Sequence, residues 1–297
     1  MLAPERSLGW SRRRRRAARE APLQDPHSIV ALLPFVALLL GAGLVAGFVA
    51  GLIGVGGGIV LVPVLYHVFE HFGVDPNVRM HLAVGTSLST IVFTAWRSMR
   101  AHRARGAVDE ALLRSWIAPV LFGVLVGVAL ASVLGGRVLA LIFGGVALGV
   151  ALHMALGNAE WRVAELPQAG LLRSALGAAI GCCSVLLGLG GGTLAVPTLT
   201  LLGVPIRRAV GTAAGLGLLI SLPGTLGFVL AGVGVPERPP LSLGYVNLLG
   251  LALIAPVTML AAPWGAGLAH AVPRVGLRRA FALFLAVTSV RMLLADG

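Results

Sequence analysis

Lysine is absent from this chain of 297 residues, so its 23 permanently basic side chains are all arginine. That absence removes one chemistry at once, because a phosphate-binding glycine loop ends in Gly-Lys-Ser/Thr and no such ending can be written here. Acids are scarce too, 11 in all, and they lie at the ends of apolar stretches or between them. Cation-coupled carriers commonly bury a carboxylate in the bilayer, where an ionisable group is the usual mark of function; these stretches carry almost none. The only cysteines, Cys182 and Cys183, are adjacent. Neighbours make no useful disulfide and no metal-ligand spacing accompanies them, so they read as small packing residues, and neither a metal nor a cofactor is expected. No nucleophile–base pair stands inside the apolar stretches, which argues against an enzyme, membrane-embedded or otherwise.

What is abundant is apolar surface and glycine. With 57% apolar residues, 41 glycines and a mean hydropathy of +0.94, most of the chain belongs in a lipid bilayer. The net charge of +12 resembles a nucleic-acid signal until it is located: Arg6, Arg12 to Arg16 and Arg19 crowd the beginning of the chain. Residues 1–28 are therefore expected to form a disordered basic tail on the cytoplasmic side, touching anionic lipid. No recognition module accompanies the arginines, so no nucleic-acid partner is expected. The apolar region from Ile29 is too long for the core of a cleaved signal peptide and is read as a membrane element.

A glycine cluster organises the rest. Gly54-Val55-Gly56-Gly57-Gly58 returns as Gly188-Leu189-Gly190-Gly191-Gly192, with Gly47, Leu52, Pro63 and Leu65 matched by Gly181, Leu186, Pro197 and Leu199. Further on, Ala83-Val84-Gly85-Thr86 is echoed by Ala209-Val210-Gly211-Thr212. The sequence thus reads as an internal duplication: a first repeat over residues 29–156, a polar linker over 157–170 and a second repeat over 171–297. Each glycine in a helix interior costs about 1 kcal/mol relative to alanine, so each cluster should interrupt its helix. In lipid such an interruption must be buried in protein or line a polar cavity. The short apolar segments after the clusters, about Ile59 to Phe69 and Thr193 to Leu202, are half the length of a span, so each cluster is expected to be a re-entrant turn. The fold expected is an all-α polytopic bundle of about eight spans, four in each half. The arginines fit that count only in part, and an odd number of crossings in one or both halves, which inverts the repeat, would account for Arg207, Arg208, Arg274, Arg278 and Arg279.

Two facing breaks make a substrate site of the kind found in transporters with discontinuous helices. Without buried ionisable groups, the chemistry left inside is backbone amide, hydroxyl and the positive ends of interrupted helices, which together suit an anion. The candidate residues are Gly54, Gly56, Gly57 and Gly58, then Gly188, Gly190, Gly191 and Gly192, with the hydroxyls of Thr86, Ser87, Thr193 and Thr212. Ser89, Thr90, Ser221 and Thr225 are weaker candidates, since hydroxyls in membrane helices often bond only to their own backbone. His153 in a span reads first as packing, and His67, Glu70 and His71 read as an interfacial cluster rather than a metal site.

The run Gly51 to Gly58, followed by Pro63 and then Ala83 to Ser87, resembles the sulfite exporter TauE/SafE family of membrane transporters. Its second appearance at Gly188 to Pro197 and Ala209 to Thr212, and Leu277-Arg278-Arg279-Ala280-Phe281 ahead of Arg291-Met292-Leu293, resemble the family's second half. The resemblance runs from about Leu33 to Leu294 and implies a duplicated multi-pass bundle in the bacterial inner (cytoplasmic) membrane. It implies movement of sulfite, sulfonates or related organic anions. The partners expected are a small anionic substrate, the lipid bilayer and, as one arrangement, a second copy in a homodimer. A passive anion channel is the nearest alternative, and a membrane-embedded enzyme a more distant one. One departure stands out: Ala213-Ala214 occupies the place of Ser87-Leu88, so any hydroxyl pair in the site is asymmetric.

Overall fold

In the computed structural model the described residues are 26–53, 57–156, 164–167, 169–268 and 274–294. They form ten helices and one small hairpin. The helices are α1 (Pro26–Ile53), α2 (Gly58–His71), α3 (Pro76–Ala104), α4 (Glu110–Val133), α5 (Gly136–Leu156), α6 (Leu171–Leu186), α7 (Gly191–Leu201), α8 (Ile206–Ala231), α9 (Leu248–Leu268) and α10 (Arg274–Leu294). Between α8 and α9, β1 (Ser242–Leu243) pairs antiparallel with β2 (Val246–Asn247). The chain divides into two compact units, residues 1–38 and 39–297. The first contains the start of α1, which begins at Pro26, inside the segment expected to be tail; residues 1–25 lie outside the described residues. All that follows concerns the second unit.

The helices end where local chemistry says they should. Asp75 caps α3 by accepting from the Asn77 amide at 2.8 Å, with Pro76 supplying a preset φ at the first turn. Asp109 does the same for α4 through Leu112 N–H at 3.0 Å. The arginine-rich stretch from Arg97 to Arg114 is polar enough to read as a loop. Instead α3 continues to Ala104, and Gly106, at φ +62°, turns the chain within a few residues. Helix-forming Ala and Arg carry α3 past the apolar span because nothing between Trp96 and Arg105 breaks it.

The core is α3 and α8 crossing antiparallel. Along their joint Gly211 meets Ala107, Gly217 meets Ala95 and Gly224 meets Leu88. The start of α8 stays beside the end of α3, where Arg207 donates to the Arg105 carbonyl at 3.4 Å. At the opposite end the start of α5 sits against the start of α3, with Gly136 against the Asn77 carbonyl, and Arg137 donates to the last carbonyls of α10, Met292 and Leu293.

Helices α6 and α7 form a hairpin around the second glycine cluster. Leu187–Gly190 are non-helical, and Gly188 takes φ +64°, a conformation that favours glycine. Both arms return to one end, because the segment before α6 bonds to the end of α7, Leu166 N–H to Leu202 O at 3.0 Å. Gly177 and Gly181 of α6 pack on Pro119 and Val120 of α4, and Gly43 and Gly47 of α1 pack on Ile254 and Thr258 of α9. Four helices, α4, α5, α8 and α9, are by length and composition apolar enough to cross a membrane. Their outer faces carry Phe122, Leu125, Leu226, Leu230 and Leu260, each more than half exposed. A surface so apolar suits lipid as its solvent.

Candidate functional site

The two glycine clusters meet. A Cβ placed on Gly58 would lie 2.7 Å from the Gly188 carbonyl oxygen and 3.0 Å from Leu189 Cα, and one on Gly188 would lie 2.9 Å from Val62 Cγ2 and from Val84 Cα. Ser87 locks the joint by donating its hydroxyl to the Gly188 carbonyl at 2.8 Å. Gly191 is pressed against α8, where a Cβ would lie 2.7 Å from Gly217 N and 2.8 Å from Ala213 O. Gly58, Gly188 and Gly191 are therefore glycine because backbone lies where a side chain would go.

Beside this joint is a cavity of about 320 Å³. Gly57, Gly190, Gly191 and Gly192 line it, so residues from both clusters share one space. Gly190 is the N-cap of α7 and gives its first amides no side-chain cap, so the start of that helix presents the positive end of its dipole. Opposite stands α3, which supplies Thr94, Arg97, Ser98 and His102. Among the described residues no carboxylate lies within ion-pair distance of Arg97. His102 lies beyond the apolar span, and burial, aided by the neighbouring Arg105, pushes its imidazole below the usual histidine range. At neutral pH Arg97 is thus the cation of the cavity. The remaining wall is apolar apart from Thr258, with Ile91, Ala95, Ala213, Met259 and Ala262 among its residues.

The other expected site residues fall elsewhere. Thr193 is buried in α7 and does not line the cavity. Thr86 and Thr212 are fully buried, and each holds the start of another helix. Thr86 Oγ1 accepts from Asn247 N–H at 2.9 Å, and Asn247 in turn caps α9 through Gly250 N–H at 2.7 Å. Thr212 Oγ1 accepts from Asp109 N–H at 3.0 Å, and Asp109 caps α4. The glycine preceding each threonine carries the matching contact, Gly85 against the Tyr245 carbonyl and Gly211 against the Ala107 carbonyl. Gly54 and Gly56 lie outside the described residues. Thr94, Arg97, Ser98 and His102 were not singled out from the sequence. Their signal was present, since Thr94 and Ser98 are one helical turn apart and continue the face that carries Ile91.

Among the described residues no group of three or more His, Cys, Asp or Glu is placed to hold a metal ion. The arrangement offers backbone amides, the hydroxyl residues Thr94, Ser98 and Thr258 and a guanidinium around a largely apolar space, which is chemistry for holding an anion.

The chain is similar to known membrane proteins. A probable membrane transporter protein of Haemophilus influenzae is 32% identical over 263 residues, covering 89% of this chain and 100% of that protein. A probable membrane transporter protein of Methanocaldococcus jannaschii is 27% identical over 76% of this chain and 82% of its own length, and one of Bacillus subtilis is 28% identical over 67% and 80%. No solved structure matches. The family model for sulfite exporter TauE/SafE matches residues 39–292, which takes in both glycine clusters, the α3–α8 core and the closing helix; the chain belongs to the sulfite exporter TauE/SafE family of membrane transporters.

Proposed function

We propose that this protein is a secondary transporter that moves small anions, such as sulfite, sulfonates or related organic anions, across the bacterial cytoplasmic membrane. The substrate sits in the cavity between the glycine clusters. The observation that carries this reading is that Gly57 and Gly190 to Gly192 line one cavity with Arg97. The amides at the start of α7 supply roughly half an elementary charge of positive potential, and the guanidinium supplies a full one. The apolar wall beside them suits an anion with an organic body. An inside-negative potential favours export by about 2.3 kcal/mol per charge per 100 mV, so outward movement of an anion needs no coupled ion.

The bundle is read as two homologous halves of opposite orientation. Support comes from contacts that recur in pairs: Gly85 and Thr86 on the hairpin and Asn247, against Gly211 and Thr212 on Ala107 and Asp109; Gly43 and Gly47 on α9, against Gly177 and Gly181 on α4. The antiparallel crossing of α3 and α8 supports the inversion. On this reading the bundle has six full crossings, α3 to α5 and α8 to α10, three in each half where four were expected, and two re-entrant hairpins entering from opposite faces. Such repeats place substrate near the midplane, where the interrupted helices meet.

Uptake of labelled sulfite, taurine, sulfoacetate and acetate into proteoliposomes tests the reading. Gly190→Ala is the informative variant, because its Cβ would meet only the Ile91 side chain, at 3.1 Å, and so occupies the cavity without displacing backbone. Saturable flux of one of these anions, reduced in monodisperse Gly190→Ala and Arg97→Gln, is expected. Flux that never saturates would indicate a channel, and equal flux in both variants would remove the cavity from the mechanism.

A further inference from the structure

His81 stands away from the cavity, at the meeting of three elements, and nothing described above makes use of it. It is only 4% exposed. Nε2 lies 2.9 Å from the carbonyl oxygen of Ala131 near the end of α4, and Nδ1 lies 3.2 Å from the carbonyl oxygen of Asn77, one turn back on α3. The ring stacks on Tyr245 of the hairpin with centroids 4.8 Å apart. A neutral imidazole carries one N–H and one bare lone pair. Facing two carbonyl oxygens, it satisfies one and turns a lone pair towards the other. Only a ring with hydrogen on both nitrogens meets both.

The surroundings suit the added charge. Ala131 belongs to the last turn of α4, which ends at Val133, where carbonyls lack helical partners and the dipole is negative. The face of an aromatic ring attracts a cation. Charged groups on the neighbouring elements are engaged elsewhere. Glu70 of α2 bonds His67 and Arg79, each at 3.0 Å, and Arg79 also donates to the Val74 carbonyl. Arg137 of α5 holds the Met292 and Leu293 carbonyls. Arg238, next to Glu237 and ahead of the hairpin, donates to the Val235 and Gly244 carbonyls. Burial raises the Tyr245 phenol above its usual range, against the opposing effect of Arg238, so that ring stays neutral. Among the described residues no carboxylate bonds His81.

We infer that His81 is a proton-binding site joining α3, the end of α4 and the hairpin that leads into α9. Holding a proton on each nitrogen, it draws the Ala131 and Asn77 carbonyls together under Tyr245. When one proton passes to water, one carbonyl is released and the attraction to the Tyr245 ring falls. The consequence travels along a short path. Tyr245 lies two residues before Asn247, whose amide is held by Thr86 and whose side chain caps α9; that helix supplies Thr258, Met259, Ala262 and Pro263 to the cavity. One wall of the cavity therefore rests on a joint whose contacts change with proton occupancy.

The test reads the ring directly and does not depend on transport. Full-length protein with ¹⁵N-labelled histidine, in lipid nanodiscs, is followed by NMR from about pH 5 to about pH 8. His81→Gln identifies the His81 signals by their loss; should that variant not fold, the ring is identified by its through-space contact with labelled Tyr245. The expected result is two N–H nitrogens at the acid end, a bare nitrogen appearing as pH rises, and shifts of the Tyr245 and Asn247 amides with the same midpoint. One bare nitrogen throughout the range, or a titration that leaves those amides unmoved, would overturn the inference.

Discussion

Replacing Thr86 by valine keeps the shape of the side chain and removes only the oxygen that accepts from Asn247 N–H. Asn247 is 2% exposed, so no water can take the place of that oxygen. An unpaired buried N–H costs about 1–3 kcal/mol; hydrogen bonds between membrane helices average nearer ~0.6 kcal/mol, because partners are also found when the helices separate. A loss of about 1–2 kcal/mol is expected, which is a fall in melting temperature of about 2–4 °C per kcal/mol for a domain of this order of size. Thr212→Val should cost less, since its partner Asp109 is only half-buried. Thr86→Ser keeps the oxygen and should stay near the wild type. The assay is thermal unfolding in one detergent for all three, alongside the apparent KM for whichever anion is carried. The reasoning fails if Thr212→Val is the more damaging substitution, or if Thr86→Val changes KM while the melting temperature holds.

Three further outcomes are expected. Gly191→Ala should lower stability by about 1–3 kcal/mol through overpacking against α8 backbone, whereas Gly190→Ala should unfold within a degree or two of the wild type; size-exclusion profiles and melting curves separate the two. Arg97→Gln should raise the apparent KM for an anionic substrate without lowering the melting temperature, because the guanidinium of Arg97 holds no ion pair within the described residues. His102 has its proton affinity lowered by burial and by Arg105, so it gains charge only below the ordinary histidine value of about 6.5; apparent affinity for a sulfonate, whose own charge is constant, should improve as pH falls through that region and should stay flat in His102→Gln.

How much of this was legible in the sequence depends on how far apart the interacting residues lie. The helices on either side of each glycine cluster, and the interruption at Leu187 to Gly190, follow from local composition and were read within a few residues. The meeting of Gly58 with Gly188 was expected from the repetition of a motif that would otherwise strand backbone in lipid. The roles of Thr86 and Thr212 were not legible: each threonine partners an amide more than a hundred positions away, and a hydroxyl on a helix looks the same whether it faces a ligand or a helix start. The place of His81 was not legible either: Asp75-Pro76-Asn77 reads as a turn, yet the same residues start α3, and the histidine falls inside it. Arg97 and His102 escape notice for a related reason, since an arginine-rich continuation of a helix is not apolar enough to register as part of one.

Gly85, Gly191 and Gly211 sit against main-chain atoms of the hairpin, of α8 and of the turn after α3, and leave no room there for a side chain. A surface of that kind has no adjustable parts, so it cannot be a source of variety. If the cavity holds the substrate as proposed, change in cargo is expected at side chains that line it, such as Thr94, Ala95, Ala101, Ala214, Met259 and Ala262. Relatives with the same glycine framework can therefore diverge in cargo through a handful of small substitutions on one wall, while the crossing that carries them stays fixed.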